Sequence, residues 1–145
     1  MKKILSLTSF LLFCLYACNE DKKEPASEND VDAVRNFIQA ALEGNYEKAK
    51  TFMLADSISL ERMSNIERVN LSPEEKKGLA AASINVHNIT RVNDSTTIVI
   101  YSNSFKNNWD TLRAVKLKNN WLVDFNYLFD HDNDILMNRK DSLAK

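Results

Sequence analysis

The spacing of apolar residues changes near residue 83, and this change constrains the fold more than any other feature of the sequence. Before it, apolar residues recur every three or four positions, as in Val34, Phe37, Ile38 and Ala41, which predicts helices that bury one stripe. After it, residues alternate or form β-branched runs, which predicts strands. Helices followed by strands predict an α+β fold with helices packed on an antiparallel sheet.

Local signals set the ends of four predicted helices. The pair Asn-Asp at 29–30 can cap the first helix, and Gly44 suits the left-handed position after it. Further helices are predicted at 46–55 and 57–70 from their apolar spacing. The sequence SPEE at 72–75 combines a capping box with a proline at the first helical position, and it begins the fourth helix.

Four strands are predicted in the second half, and the breaks between them are short enough for antiparallel hairpins, which gives a meander. The strand at 96–105 is apolar at both parities over Ile98-Val99-Ile100-Tyr101. A strand with one solvated face should alternate. We therefore expect helices on one side of it and either the C-terminal segment or a second subunit on the other. The other strands are predicted at 84–92, 109–117 and 121–125.

The order of these elements resembles small cystatin-like or nuclear-transport-factor-2-like domains of bacterial lipoproteins. The resemblance lies in the helix–glycine–helix segment at 34–53, the strand at 96–101 and the closing hairpin VKLKNNWLVDF at 115–125. It covers residues 31–126 and implies a curved sheet around helices, often dimerised through the sheet. Members of such families include enzymes, binding modules and scaffolds, so the fold does not select a function.

The N-terminus predicts export. A basic start precedes an uncharged 14-residue run at 4–17, which is shorter than the about 20 residues of a membrane-spanning helix and is typical of a secretory signal. The run ends in Leu15-Tyr16-Ala17-Cys18, which resembles the lipobox of bacterial lipoproteins. That resemblance implies cleavage after residue 17 and acylation of Cys18. An ordinary signal peptide and an uncleaved anchor are the alternatives.

Cleavage would change the net charge from −1 to −3, because residues 1–17 contain two lysines and no acidic residue. Residues 18–30 then form the lipidated cysteine and a tether, whose seven charges and lack of large apolar side chains predict flexibility. Glu20 and Asp21 resemble export signals of some Bacteroidetes surface lipoproteins, although a solvated spacer is the alternative. We expect the protein to be anchored in the outer membrane of a bacterial envelope, on either its periplasmic or its surface face.

Composition excludes several classes of function. Lys+Arg and Asp+Glu number 19 and 20, which gives no support for nucleic-acid binding. Two glycines and two cysteines, one of them in the signal, leave no phosphate-binding loop, zinc cluster or disulfide scaffold. No cofactor is predicted.

Few residues are candidates for chemistry. His87 could form a general base with Asp110 or Asp124, but a surface histidine is the more common outcome and no catalytic residue is assigned. Asp130, Asp132 and Asp134 match positions 1, 3 and 5 of a calcium loop. Ile135 replaces the required glycine, so a solvated acidic turn is favoured. It lies in the C-terminal tail, 127–145, for which a helix is one expectation.

Six aromatic residues can line a sugar- or lipid-binding surface or belong to the core. They are Tyr101, Phe105, Trp109, Trp121, Tyr127 and Phe129.

Taken together, these features predict a membrane-anchored, non-enzymatic module that binds a small ligand or a protein. A homodimer through the sheet is a further expectation. A small-cavity enzyme of isomerase or dehydratase type and a structural or assembly lipoprotein are the alternatives.

Overall fold

The computed structural model describes Ser27 and residues 29–130, and in this range it has the α+β fold that the sequence predicts. The strands form one antiparallel sheet in the order β1-β2-β3-β4, a meander. The predicted signal peptide, Cys18 and most of the tether lie outside the described residues. The elements are α1 (Asp30–Leu42), α2 (Tyr46–Thr51), α3 (Ser57–Glu67), α4 (Pro73–Ala80), β1 (Ile84–Asn93), β2 (Thr96–Asn103), β3 (Trp109–Leu117), β4 (Asn120–Asp124) and α5 (Tyr127–Asp130).

The predicted helix caps are present. The side chain of Asn29 accepts a hydrogen bond from the amide of Val31, and Gly44 has φ +72° after α1. Ser72 and Glu75 form both bonds of the capping box at α4. These side chains satisfy amide groups that a helix end leaves without an intrahelical partner.

The second helix is shorter than predicted because the residues after it pair with the sheet. α2 ends at Thr51. The carbonyl of Phe52 then accepts a hydrogen bond from the amide of Val123 at 2.8 Å, and the amide of Leu54 donates to the carbonyl of Val123 at 2.8 Å. These bonds pair backbone groups of β4 on the side of the strand away from β3. An unpaired strand at this edge of the sheet could pair with another chain.

Ser27 covers the same edge of β4. Its carbonyl accepts a hydrogen bond from the amide of Trp121 at 3.0 Å, and its side chain accepts one from Asn36 in α1. The folded part therefore includes Ser27, Asn29 and Asp30, which lie within the predicted tether, 18–30.

The core lies between α1 and one face of the sheet, called here the inner face. On β2 the inner residues Thr97, Val99 and Tyr101 are 0%, 0% and 7% exposed. The rings of Phe37 in α1 and Phe125 after β4 pack with centroids 5.3 Å apart. Burial of this apolar surface is the main stabilising contribution that the helix-on-sheet arrangement makes.

The other face of the sheet, called the outer face, carries Ile98 and Ile100, which are half-buried. Arg113 and Asp124 are neighbours in the β3–β4 register on this face and form an ion pair, and the Arg113 guanidinium lies 4.7 Å from the ring centre of Tyr127. That the C-terminal segment or a second subunit covers Ile98 and Ile100 stays a prediction.

The N-terminus of α1 is fixed to the sheet by a buried carboxylate. Asp30 accepts hydrogen bonds from the hydroxyl of Thr97 at 2.7 Å, from Nε of Arg91 at 3.0 Å and from the amide of Val31 at 2.9 Å. Burial alone would raise the pKa of Asp30, but the bonds from Thr97, Arg91 and Val31 outweigh it and hold the pKa below its ordinary 3.8. Since Arg91 is largely exposed, the buried Thr97 bond contributes most to stability.

We expect Asp30→Asn to lower the free energy of unfolding at pH 7 by about 1–3 kcal/mol, because the buried network loses its negative charge and an NH2 donor replaces one of its two acceptor oxygens. The folded pKa lies below the unfolded value, so the contribution of Asp30 is present above 3.8 and is lost as pH falls through the folded pKa. Urea unfolding of both proteins between pH 7 and 3 measures this. Asp32→Asn, an exposed change in the same helical turn, is the control, and an equal loss there would contradict the assignment.

α4 contacts the β2–β3 hairpin through a glycine. A Cβ placed on Gly78 would lie 2.1 Å from a ring carbon of Phe105, so the ring occupies the space of a side chain. Glycine is an unfavourable residue inside a helix, and its presence here is explained by this close contact. The contact joins α4 to the hairpin that connects β2 and β3.

We expect Gly78→Ala to destabilise the protein, although the same change in an open helix stabilises it by about 1 kcal/mol. In a Phe105→Ala background the clash is absent, so Gly78→Ala should become stabilising. A double-mutant cycle by urea unfolding separates the two effects. The same effect of Gly78→Ala in both backgrounds would show that the ring does not restrict this position.

Candidate functional site

A cavity of about 340 Å³ lies where the helices leave part of the inner face uncovered. The C-terminal half of α1, the α3–α4 connection and α4 form its walls, and Tyr101 and Asp110 lie on its sheet side. This volume is at the lower end of the range for small-molecule sites, about 300–1,000 Å³. Its apolar lining residues are Phe37, Ile38, Ala41, Leu42, Tyr46, Met63, Ile66, Val69, Leu71, Leu79, Phe125 and Leu128.

One part of the lining is polar, and it is built by the β2–β3 register. Tyr101 and Asp110 are direct cross-strand partners, so their side chains lie side by side on the inner face. Burial and, to a lesser extent, the negative charge of Asp110 raise the pKa of Tyr101 far above its ordinary value. Tyr101 therefore keeps its proton and remains a hydrogen-bond donor, while the Asp110 carboxylate is an acceptor.

The hairpin between β2 and β3 completes this polar end. The side-chain oxygen of Asn103 accepts hydrogen bonds from the amides of Phe105 and Lys106 at 3.2 and 2.9 Å, which fixes the turn. Lys106 lines the cavity but is exposed. The pKa of Glu75 is lowered chiefly by its bonds to Ser72, with a smaller effect of the Lys106 charge.

A second cavity of about 300 Å³ adjoins the first. Leu71 and Leu79 line both and stand between them. Val69, on the same connection, also lines both and is 57% exposed. The two cavities thus share lining residues from α1, α2, the α3–α4 connection and α4.

The His–Asp pair that the sequence analysis weighed against a surface histidine is not assembled. His87 lies on the outer face, where its ring stacks on Trp109 with centroids 4.1 Å apart and its Nε2 is 2.8 Å from the hydroxyl of Ser102. Asp110 lies on the inner face, and Asp124 is paired with Arg113. Alternation along the strands places His87 and Asp110 on opposite sides of the sheet, so neither aspartate forms a base with it.

The six aromatic candidates do not share one surface. Tyr101 and Trp121 belong to the core cluster, Phe105 contacts Gly78, and Trp109 stacks on His87. The last two aromatic candidates are in contact with arginines, Tyr127 with Arg113 and Phe129 with Arg62. The geometry therefore favours the cavity over an aromatic patch.

The calcium-loop candidates fall largely outside the described residues. Asp130 is the last residue of α5, and Asp132 and Asp134 follow it. Within residues 27 and 29–130, no group of three or more His, Cys, Asp or Glu side chains is arranged to hold a metal ion. In the same range no helix is both long and apolar enough to cross a bilayer.

Sequence reasoning named Tyr101 and Asp110 but did not connect them, and it did not single out Met63, Leu79 or Lys106. A scan against protein-family models and searches of curated proteins and solved structures found no match to this chain. The cavity and its polar end are therefore the features from which a function can be inferred.

Proposed function

We propose that this protein is a lipid-anchored module of the bacterial cell envelope that binds a small, mainly apolar ligand in the cavity beneath α1. The cavity, about 340 Å³ with one polar end, is the observation that carries the proposal. Ligand sites are typically apolar clefts with a few placed polar groups, and this lining has that character. Ligand binding is a non-enzymatic role and needs no group beyond those present.

The order of elements supports a cystatin-like or nuclear-transport-factor-2-like roll as the finer description of the fold. In such a roll the sheet curves around helices, and the space between them is the natural place for a ligand. The described helices leave that space open beside Tyr101, where α1 ends at Leu42.

The anchor rests on the sequence Leu15-Tyr16-Ala17-Cys18 after an uncharged run. Two acyl chains on Cys18 meet the requirement of two signals for stable membrane attachment, and three exceed it. The proposal therefore places the cavity close to the envelope membranes, where apolar molecules are concentrated.

A small-cavity enzyme is the second candidate, because Asp110 converges on the cavity beside a protonated Tyr101. A carboxylate can abstract a proton while a phenol stabilises the developing oxyanion. Isomerases and dehydratases use such steps. If the protein turns over a carbonyl substrate and Asp110→Asn abolishes this turnover, the result would favour this candidate over simple binding.

The binding proposal is tested with methionine methyl groups as reporters. Met63 lines the cavity, whereas Met53 is buried in the core and does not line it. In the full chain held in lipid nanodiscs and labelled at methionine methyl carbons, we expect 4-phenyl-1-butanol to shift the Met63 resonance saturably and to leave Met53 in place. Empty nanodiscs measure partition of the probe into lipid.

Ala41→Phe, which fills the cavity from α1, should abolish the Met63 shift. Ala80→Phe is the matched control, because Ala80 is exposed on α4 and does not line the cavity. An unchanged Met53 resonance shows that each variant is folded. If the probe leaves Met63 unmoved in the folded wild-type protein, or if both variants respond alike, the binding proposal is wrong.

The anchor is tested separately. We expect Cys18→Ala to move the protein from the membrane to the soluble fraction, because the thiol that receives the lipid is absent. Fractionation of the producing cells with a high-salt wash measures this. A variant that stays in the membrane after the wash would contradict the anchor and leave the cavity proposal untouched.

A further inference from the structure

We infer that the end of the sheet formed by the β1–β2 and β3–β4 turns contacts the membrane surface, with the side chains of Val92 and Leu117 among the lipid headgroups. This inference rests on the lipid anchor in the proposed function and adds the surface of the domain that meets the lipid. It does not depend on whether the cavity binds a ligand.

The two turns lie side by side at one end of the sheet, called here the two-turn end. Consecutive strands of a meander alternate in direction, so its first and third connections are at the same end. The strand pairing stops at Asn93 in one hairpin and at Leu117 in the other. Between the turns, the amide of Lys116 donates a hydrogen bond to the carbonyl of Ser95 at 2.9 Å, which holds them together.

The chain enters the folded domain at the same end. The carbonyl of Ser27 accepts its bond from the amide of Trp121, the second residue of β4, directly after the β3–β4 turn. α1 also begins here, because Asp30 is bonded to Thr97, the second residue of β2. The chain that leads back to the proposed anchor at Cys18 therefore leaves the domain beside the two turns.

Apolar side chains are exposed on this end. Val92 is 55% and Leu117 is 51% exposed. A single exposed apolar residue is ordinary, but these two lie beside neighbouring turns, next to the point where the chain leaves for the anchor. Lys116 and Lys118, both exposed, flank Leu117 in the sequence. Lysine side chains can lay their apolar stems along a lipid surface and keep their charge in water, so this pattern suits an interface.

The charges on the two-turn end allow such a contact but do not drive it. Arg91 is paired with the buried Asp30, so this pair adds no net charge. The two lysines beside Leu117 are opposed by Asp94 in the β1–β2 turn and by Asp32, which is exposed in the first turn of α1. The contact is therefore mainly apolar, and we expect it on zwitterionic as well as on anionic lipid.

The anchor makes a small contact sufficient. Two half-exposed aliphatic side chains would bind a membrane weakly from solution. A short flexible linker raises the effective concentration of the second binding event to the millimolar range, so the acyl chains on Cys18 would populate a contact that is weak by itself. The same weakness is consistent with Cys18→Ala releasing the protein to the soluble fraction.

The opposite end of the sheet also exposes apolar residues, but their rings have partners within the domain. Phe105 and Trp109, beside the β2–β3 turn, are 44% and 42% exposed. Phe105 packs against Gly78, and Trp109 stacks on His87. This end is also a sheet length away from the attachment of the chain at Ser27. The polar end of the cavity lies there, on the side away from the lipid.

The test maps the distance of each backbone amide from the lipid. The full acylated chain, labelled with 15N, is held in phosphatidylcholine nanodiscs with and without a small fraction of lipids whose headgroup carries a gadolinium chelate. We expect the amide signals of 92–95 and 117–120 to lose the most intensity and those of 104–108 the least. A uniform loss over the surface, or the largest loss at 104–108, would overturn the inference.

Substitutions test the assignment to the two side chains. Val92→Ser combined with Leu117→Ser should reduce the loss at the two-turn end to that of the rest of the surface. Ile58→Ser combined with Leu60→Ser is the matched control, because these residues are 55% and 39% exposed on α3, whose N-cap is bonded to Asn126, after β4. The control should keep the wild-type pattern, and if both double variants keep it the inference is wrong.

The failure of the anchor is distinguishable from the failure of this contact. If the protein does not stay with the nanodiscs, the anchor proposal fails and this inference fails with it, while the cavity proposal stands. If the protein stays but no amide loses intensity, the domain is held away from the lipid and only this inference is wrong. Unchanged positions of the β2 amide signals show that each variant is folded.

Discussion

The structure depends on how α1 packs on the inner face of the sheet. This helix is the longest of the described part and places Val34, Phe37 and Ile38 in the core. At its N-terminus the buried bond between Asp30 and Thr97 holds it close to β2. At its C-terminus, Ala41 and Leu42 stand over Tyr101 across the cavity. The same helix thus closes one end of the sheet and leaves the other open, which is why the site lies where it does.

The order of elements and the helix caps were predictable because local chemistry determines them. The capping box at Ser72 and Glu75, the left-handed Gly44 and the β-branched run of β2 each contain their structural signal within a few residues. The ends of α2 and α3 were less predictable. α2 stops where Phe52 bonds to β4, and this pairing involves a strand about 70 residues away in the chain.

The site required information that spacing does not contain. Tyr101 and Asp110 meet only because the β2–β3 hairpin closes in one register, and a shift of one residue would place Asp110 on the outer face. The sequence supplied the two residue types, but it suggested His87 as the partner of Asp110. Asp30 was hidden in the same way, since an acidic residue before a helix is typical of a cap and gives no sign of a distant threonine.

The hydrogen bond between Ser27 and Trp121 also limits how far the domain can lie from its proposed lipid anchor. Ser27 lies nine positions after Cys18, and a fully extended chain spans at most about 3.3–3.6 Å per residue, or roughly 30 Å here. With Cys18 acylated as proposed, the β4 edge of the domain stays within about one hydrocarbon-core thickness of the membrane surface. The domain would then stay within a thin layer next to the membrane surface, and it could bind a ligand or a partner only within that layer.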